Sequence, residues 1–179
     1  GDRMLNAADI PNDQMIISVN ELKERGFSLY KINRFVEQGN LIKLNKKYYK
    51  NTNFQGDESD FYYAYAYVSN GVVCLLSAAV YYDLTTYRPD AVDVAIRRKA
   101  RVSTLPDWPG IELFYYTDKR FDLGIKTVAE GKNQFRIYDI EKTVADIVFY
   151  RNEVGIEEMK EVLINYLNRR DRNLNRLIR

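Results

Sequence analysis

Between Ser18 and Gly39 the chain alternates two helix start signals with two stop signals, and that punctuation leaves few folds open. Ser18-Val19-Asn20-Glu21 has the capping-box pattern, a hydroxyl at N-cap and a carboxylate three residues on, and predicts a short helix reaching Arg25. Gly26 suits the left-handed C′ position that ends such a helix. Ser28 can cap a second helix, Leu29 to Gln38, and Gly39 closes it. Two helices joined by a turn of about three residues form a helix-turn-helix.

Apolar spacing agrees with the punctuation. Leu29, Ile32, Phe35 and Val36 fall on one side of the second helix and predict its core face. The opposite side carries Tyr30, Arg34 and Glu37, flanked by Lys31, Asn33 and Gln38. Next come Leu41 to Leu44, a turn at Asn45-Lys46, and Lys47 to Lys50, two β-prone runs that form a hairpin. A hairpin directly after a helix-turn-helix is a wing. From Ser28 to Lys50 six basic residues (Lys31, Arg34, Lys43, Lys46, Lys47, Lys50) face one acid, Glu37, so the stretch is locally about +5 although the whole chain is only +2.

That combination predicts double-stranded DNA as the partner. A recognition helix in the major groove takes most of its affinity from phosphates and its specificity from base edges. Arg34 suits a bidentate bond to guanine and Asn33 an adenine edge. Tyr30 and Lys31 sit in the first turn, Ser28 and the helix N-terminus suit a phosphate, and Lys46 and Lys47 at the wing tip suit phosphate or minor-groove contact. A solvated helix beside a charged hairpin, or a winged helix that binds only protein, is the competing reading. A second basic run, Arg97-Arg98-Lys99-Ala100-Arg101, offers a further contact to nucleic acid or an acidic partner, or a solvated loop; Arg169, Arg170 and Arg172 offer less.

Before the first cap the signal is weak, with a short helix from Met4 to Ala8 interrupted at Pro11. Asn51 to Asp60 is polar and contains Gly56, which makes it the expected linker. The expected fold class is therefore mixed α/β (α+β), with a winged helix-turn-helix over residues 1–52 and a larger mixed α/β domain over 53–179. In the latter, Ser59 caps an aromatic helix from Phe61 to Val68, and Ser77 to Asp83 forms another. Strands are expected at Val92–Ile96, Ile111–Tyr116, Lys126–Ala129 and Phe135–Tyr138. Asp139 caps a helix whose Ile140, Val144, Ile147 and Val148 share a face, and a last helix from Ile156 aligns Met159, Val162, Leu163, Tyr166 and Leu167. Glu141, Lys142 and Asp146 could serve a partner, but the spacing of Lys142 and Asp146 is equally that of a structural pair contributing a few tenths of a kcal/mol.

Composition narrows the chemistry. Histidine is absent and Cys74 is the sole cysteine, which removes Ser-His-Asp and Cys-His catalysis and the usual zinc sites. Cys74 lies in the apolar run Val72 to Leu76, a setting for an inert buried thiol. One cysteine excludes an internal disulfide and fits the cytoplasm. No apolar run approaches the roughly 20 residues that span a bilayer, and no secretory leader opens the chain, so no membrane partner is expected. Nor is any metal or cofactor, there being no Walker-type or GxGxxG loop. The enzymatic alternative is a Mg²⁺ nuclease using Asp107, Glu130 and Lys132; Asp107 lies in a Pro-rich loop and Glu130-Gly131-Lys132-Asn133 has the pattern of a hairpin turn. No catalytic residue is assigned.

Several segments resemble a known family. They are Ile17-Ser18-Val19-Asn20-Glu21-Leu22, the stretch Ile32 to Gly39 with Leu41, Gly71-Val72-Val73, Leu76-Ser77-Ala78-Ala79, and Tyr138-Asp139-Ile140-Glu141-Lys142-Thr143 with Asp146. In order and spacing, from about Ile16 to Leu167, they are similar to the AbiEi-type antitoxins, regulators of abortive phage infection systems. The resemblance implies an autorepressor that binds repeats in its own promoter. It also implies type IV antitoxin activity against a nucleotidyltransferase-like toxin, without a tight complex between the two. The alternatives are a winged-helix regulator of another operon and a protein-interaction module that does not read DNA.

Overall fold

The structure, a computed structural model, describes residues 5–102 and 104–178. Among them are nine α-helices and two sheets, a mixed α+β protein, and the chain divides into two compact units.

The first unit comprises Gly1–Ser69 together with Ala129–Gln134. After a 3-10 turn at Ala7–Asp9 come β1 (Ile16–Ser18), α1 (Val19–Glu24), α2 (Leu29–Glu37), β2 (Leu41–Lys43), β3 (Tyr48–Asn51) and α3 (Asp60–Tyr67). The helix expected from Met4 to Ala8 is replaced by that 3-10 turn, capped by Asn6, while Met4 lies outside the described residues. The three strands form an antiparallel sheet in the order β1-β3-β2, with Ile17 opposite Tyr49 and Lys43 opposite Tyr49 on its other side. Ile10, Ile17, Leu22, Phe27, Ile32, Phe35, Leu41 and Tyr49 make the core.

Two expectations change here. Leu29 is not in the core but 52% exposed, because the buried side of α2 centres on Ile32 and Phe35 and a residue at its rim in the first turn has nothing above it. The polar stretch Asn51 to Asp60 is not free chain. Asn51 ends β3 with its buried amide donating to Pro11 O (2.9 Å) and Gln14 O (3.2 Å), and Gln55 N–H donates to Asn12 O (2.8 Å). The first unit therefore runs past the expected boundary at 52/53 to Ser69.

The second unit, Asn70–Val128 with Phe135–Arg179, contains β4 (Val72–Val73), α4 (Leu75–Tyr81), β5 (Val92–Arg97), β6 (Ile111–Tyr116), α5 (Asp118–Asp122), β7 (Ile125–Glu130), β8 (Asn133–Tyr138), α6 (Ile140–Phe149), α7 (Arg151–Val154), α8 (Ile156–Leu167) and α9 (Leu174–Leu177). The tip of the β7–β8 hairpin belongs to the first unit. Strand order is β6-β5-β4-β8-β7, with β4–β5 antiparallel and β5–β6 and β4–β8 parallel. Helices α4 and α6 pack together, and α8 and α9 pack on α6. The core runs through Val72, Leu76, Ala95, Tyr116, Tyr138, Val144, Ile147, Val162 and Tyr166. Among the described residues no helix is long and apolar enough to cross a membrane.

Candidate nucleic-acid interface

Local chemistry explains how the first unit presents α2. Ser18 Oγ accepts from Glu21 N–H (3.0 Å) and Glu21 Oε1 accepts from Ser18 N–H (3.1 Å), so the capping box is complete; Gln14 Nε2 holds the other carboxylate oxygen (2.8 Å). Gly26, at φ +100°, then turns the chain: its N–H donates to Lys23 O (2.9 Å) and Phe27 N–H to Leu22 O (3.1 Å), the Schellman pair. Phe27 drops into the core edge-on to Phe35, with ring centroids 5.3 Å apart. Ser28 Oγ accepts from Lys31 N–H (3.1 Å) and starts α2, and a second Schellman pair closes it, from Gly39 N–H to Val36 O and from Asn40 N–H to Phe35 O. The Leu22 and Lys23 carbonyls at the end of α1 and the Lys31 N–H at the start of α2, orphans of the two helix ends, are thereby satisfied.

The outer side of α2 is open. Tyr30 is 72% exposed, and Asn33, Arg34 and Glu37 are exposed as well. Among the described residues Arg34 has no ion pair and no side-chain hydrogen bond. Lys31 is half-buried, with its ammonium 5.6 Å from the Phe35 ring centroid. Ser28 is exposed, though its oxygen already serves as the cap.

Between β2 and β3 a single side chain shapes the turn. Asn45 Oδ1 accepts from Lys47 N–H (3.0 Å) and Tyr48 N–H (2.8 Å), while its amide donates to Ala66 O (3.0 Å). An Asx turn of this kind fixes the loop without glycine. Lys46 and Lys47 at its tip are exposed, and the Lys47 ammonium lies 5.2 Å from the Tyr48 ring centroid. The sequence places the turn at Asn45-Lys46 but gives no sign of the bond to Ala66, whose partner is distant along the chain.

The second basic run, in the other unit, is built differently. Arg97 ends β5 and is held by Asp122 (2.5 Å) and Asp118 (3.3 Å), with its guanidinium 4.7 Å from the Phe121 ring centroid. Both carboxylates come from α5, a helix of five residues capped by Thr117 that periodicity does not reveal. Arg98, Lys99 and Arg101 are exposed and unpaired among the described residues.

Other chemistry-bearing groups have structural partners. Cys74 is fully buried, and burial pushes its thiol well above the usual range. Glu130 Oε1 accepts from Tyr62 Oη (2.9 Å), Lys132 lies 3.8 Å from Asp13, and Gly131 takes φ +61° in the turn between them. Among the described residues no three His, Cys, Asp or Glu side chains are grouped to hold a metal ion. Lys142 and Asp146 do form their i,i+4 pair, but 5% and 1% exposed rather than on the surface, with Arg120 Nη1 on the other carboxylate oxygen (3.1 Å).

The chain matches no family model and no curated protein.

Proposed function

We propose that the chain is a sequence-specific DNA-binding transcriptional regulator, with β1, α1, α2, β2 and β3 forming a winged helix-turn-helix in which α2 is the recognition helix and the β2–β3 turn the wing. The observation that carries this reading is the outer side of α2: Tyr30, Asn33 and Arg34 stand exposed on a nine-residue helix, with Arg34 unpaired among the described residues, and the exposed Lys46 and Lys47 follow in the next turn. An unpaired guanidinium remains available to a guanine edge, whereas Arg97 is already neutralised by two carboxylates of its own unit. Ser28 and the first turn of α2 supply backbone positioning, and Arg34 and Asn33 supply base readout.

Autorepression and type IV antitoxin activity in the cytoplasm are the finer part of the proposal. They are supported by the ordered segments from Ile17 to Asp146 that resemble AbiEi-type antitoxins.

Fluorescence anisotropy on the chain's own upstream DNA and on a scrambled duplex tests the first part. Preference for the upstream duplex is expected, reduced in Arg34→Ala by a factor that corresponds to about 1–3 kcal/mol. Equal, weak binding to both duplexes would leave the region as a basic surface only. Rescue of cells expressing a neighbouring toxin gene tests the second part independently.

A further inference from the structure

Strand β6 (Ile111–Tyr116) ends the five-stranded sheet. It pairs with β5 along its whole length, and among the described residues no other backbone bonds to its outer edge. An open edge is a row of unpaired N–H and C=O groups, which folded chains guard with lysine, proline, a bulge or a cover. β6 reads Ile-Glu-Leu-Phe-Tyr-Tyr, without lysine or proline, and its register with β5 is unbroken over all six residues. The opposite edge, β7, does carry an exposed lysine, Lys126. On β6 Tyr115 is 54% exposed, and Leu113, on the same face, is half-buried.

The strand is also electrically polar. Near its start Glu112 is exposed, lies across from the buried Asp93 of β5, and has no ion pair among the described residues; Asp107, in the preceding loop, is exposed too. At its end Tyr116 O accepts from Arg98 N–H (3.1 Å), which fixes Arg98 there with Lys99, both exposed and unpaired among the described residues. One end is acidic and the other basic. A two-fold axis that runs two such strands antiparallel sets each acid against the cations of the other copy.

We propose that β6 pairs with itself: a second copy of this chain adds its β6 antiparallel to the first, and the two sheets become one. Side chains directly opposite in an antiparallel pair share a face, so the axis passes through a residue and not between two. With Phe114 on the axis, Leu113 of each copy packs on Tyr115 of the other, and Glu112 stands opposite Tyr116, beside Arg98. Each Leu113–Tyr115 pair covers a ring that lies open in the single chain, and each Glu112 gains a cation that its own strand lacks.

Sedimentation equilibrium of the intact chain without DNA tests this independently of any DNA reading. A reversible monomer–dimer equilibrium is expected. Glu112→Arg sets like charges together at both ends of the paired strands and should raise the dimer dissociation constant about tenfold. Arg98→Glu should weaken association likewise, and the double variant should restore it. Glu112→Arg also removes a like charge from across Asp93, so the fold is retained, and circular dichroism checks that. A chain that stays monomeric at every concentration up to its solubility limit would overturn the proposal. So would a dimer that Glu112→Arg leaves unweakened, which places the interface elsewhere, or a double variant that fails to recover.

Discussion

Two buried acids in the second unit respond to burial in ways that can be measured. Asp93, on β5, accepts from Ser77 N–H at 3.3 Å while its own N–H donates to Ser77 Oγ at 2.8 Å, tying the strand to the first turn of α4. Burial pushes its carboxyl up to about 7 from 3.8, with the backbone bonds pulling less strongly the other way. Between those values the folded state holds a proton that the unfolded state has released, so this group's contribution to stability is largest below about pH 4 and is lost as pH rises to about 7. Asp93→Asn, which keeps the acceptor and cannot ionise, should become more stable than wild type at pH 8 relative to pH 4.5, by up to about 3 kcal/mol. Urea unfolding at the two pH values measures this, and parallel profiles for the two proteins would refute it. Asp146 is the second acid. Burial raises its carboxyl and lowers the Lys142 ammonium, and their mutual attraction opposes both shifts. Asp146→Ala strands Lys142 between the Tyr138 and Tyr116 rings and should cost about 3–5 kcal/mol. Lys142→Met should cost distinctly less, because Arg120 still pairs the carboxylate. Equal losses would show that the two cations do not share the acid. The i,i+4 spacing is visible in the sequence, but its burial is not, since that depends on the rings of β6 and β8.

At the level of elements, legibility follows range. The caps at Ser18, Ser28, Ser59 and Asp139 and the Gly26 and Gly39 stops involve bonds within a few residues, and each is seen at the residue the sequence marks. The strands β5 to β8 are legible to within a residue or two because β-prone runs between turn residues mark them, although their bonding partners are distant. Short elements were not: β1 is three residues leading into a cap, β4 is two residues inside an apolar run, and α5 and α7 are too brief to show a period. Leu29 marks the limit of periodicity itself, since the spacing locates a face but not how far its cover extends. Asn133 shows what no local pattern could reveal. From the start of β8 its Oδ1 accepts from Met15 N–H (2.7 Å) and Ile16 N–H (3.4 Å), closing the outer backbone of β1. Asn133→Ala should cost about 1–3 kcal/mol by orphaning those amides. Faster hydrogen exchange at Met15, together with an earlier denaturation midpoint, is the expected signature; unchanged protection there would count against it.

Across the molecule, charge is distributed rather than abundant. A net +2 gives weak non-specific attraction, but the exposed cations of α2 and the β2–β3 turn are concentrated in one segment while Arg97, Arg120, Arg169 and Arg176 are paired with acids. On the proposed DNA-binding reading, affinity should therefore fall with salt at a slope set by a few cations, and Lys46→Ala should shallow the log–log slope by about one without changing the sequence preference. A slope unaltered by the substitution would remove Lys46 from the phosphate contacts. The order of the five strands lay beyond the sequence because it depends on pairings such as Val73 with Ile137, between residues far apart along the chain.

The β7–β8 hairpin bears on the engineering of such a chain. Because Ala129–Gln134 completes the first unit from within the sequence of the second, the polypeptide passes from one to the other three times, after Ser69, Val128 and Gln134. A graft that takes residues 1–69 onto a new effector leaves Asn133 behind, and with it the acceptor for two β1 amides. A junction after Ser69 would therefore hand on the first unit without residues 129–134, so a graft of that unit has to carry the hairpin tip as well.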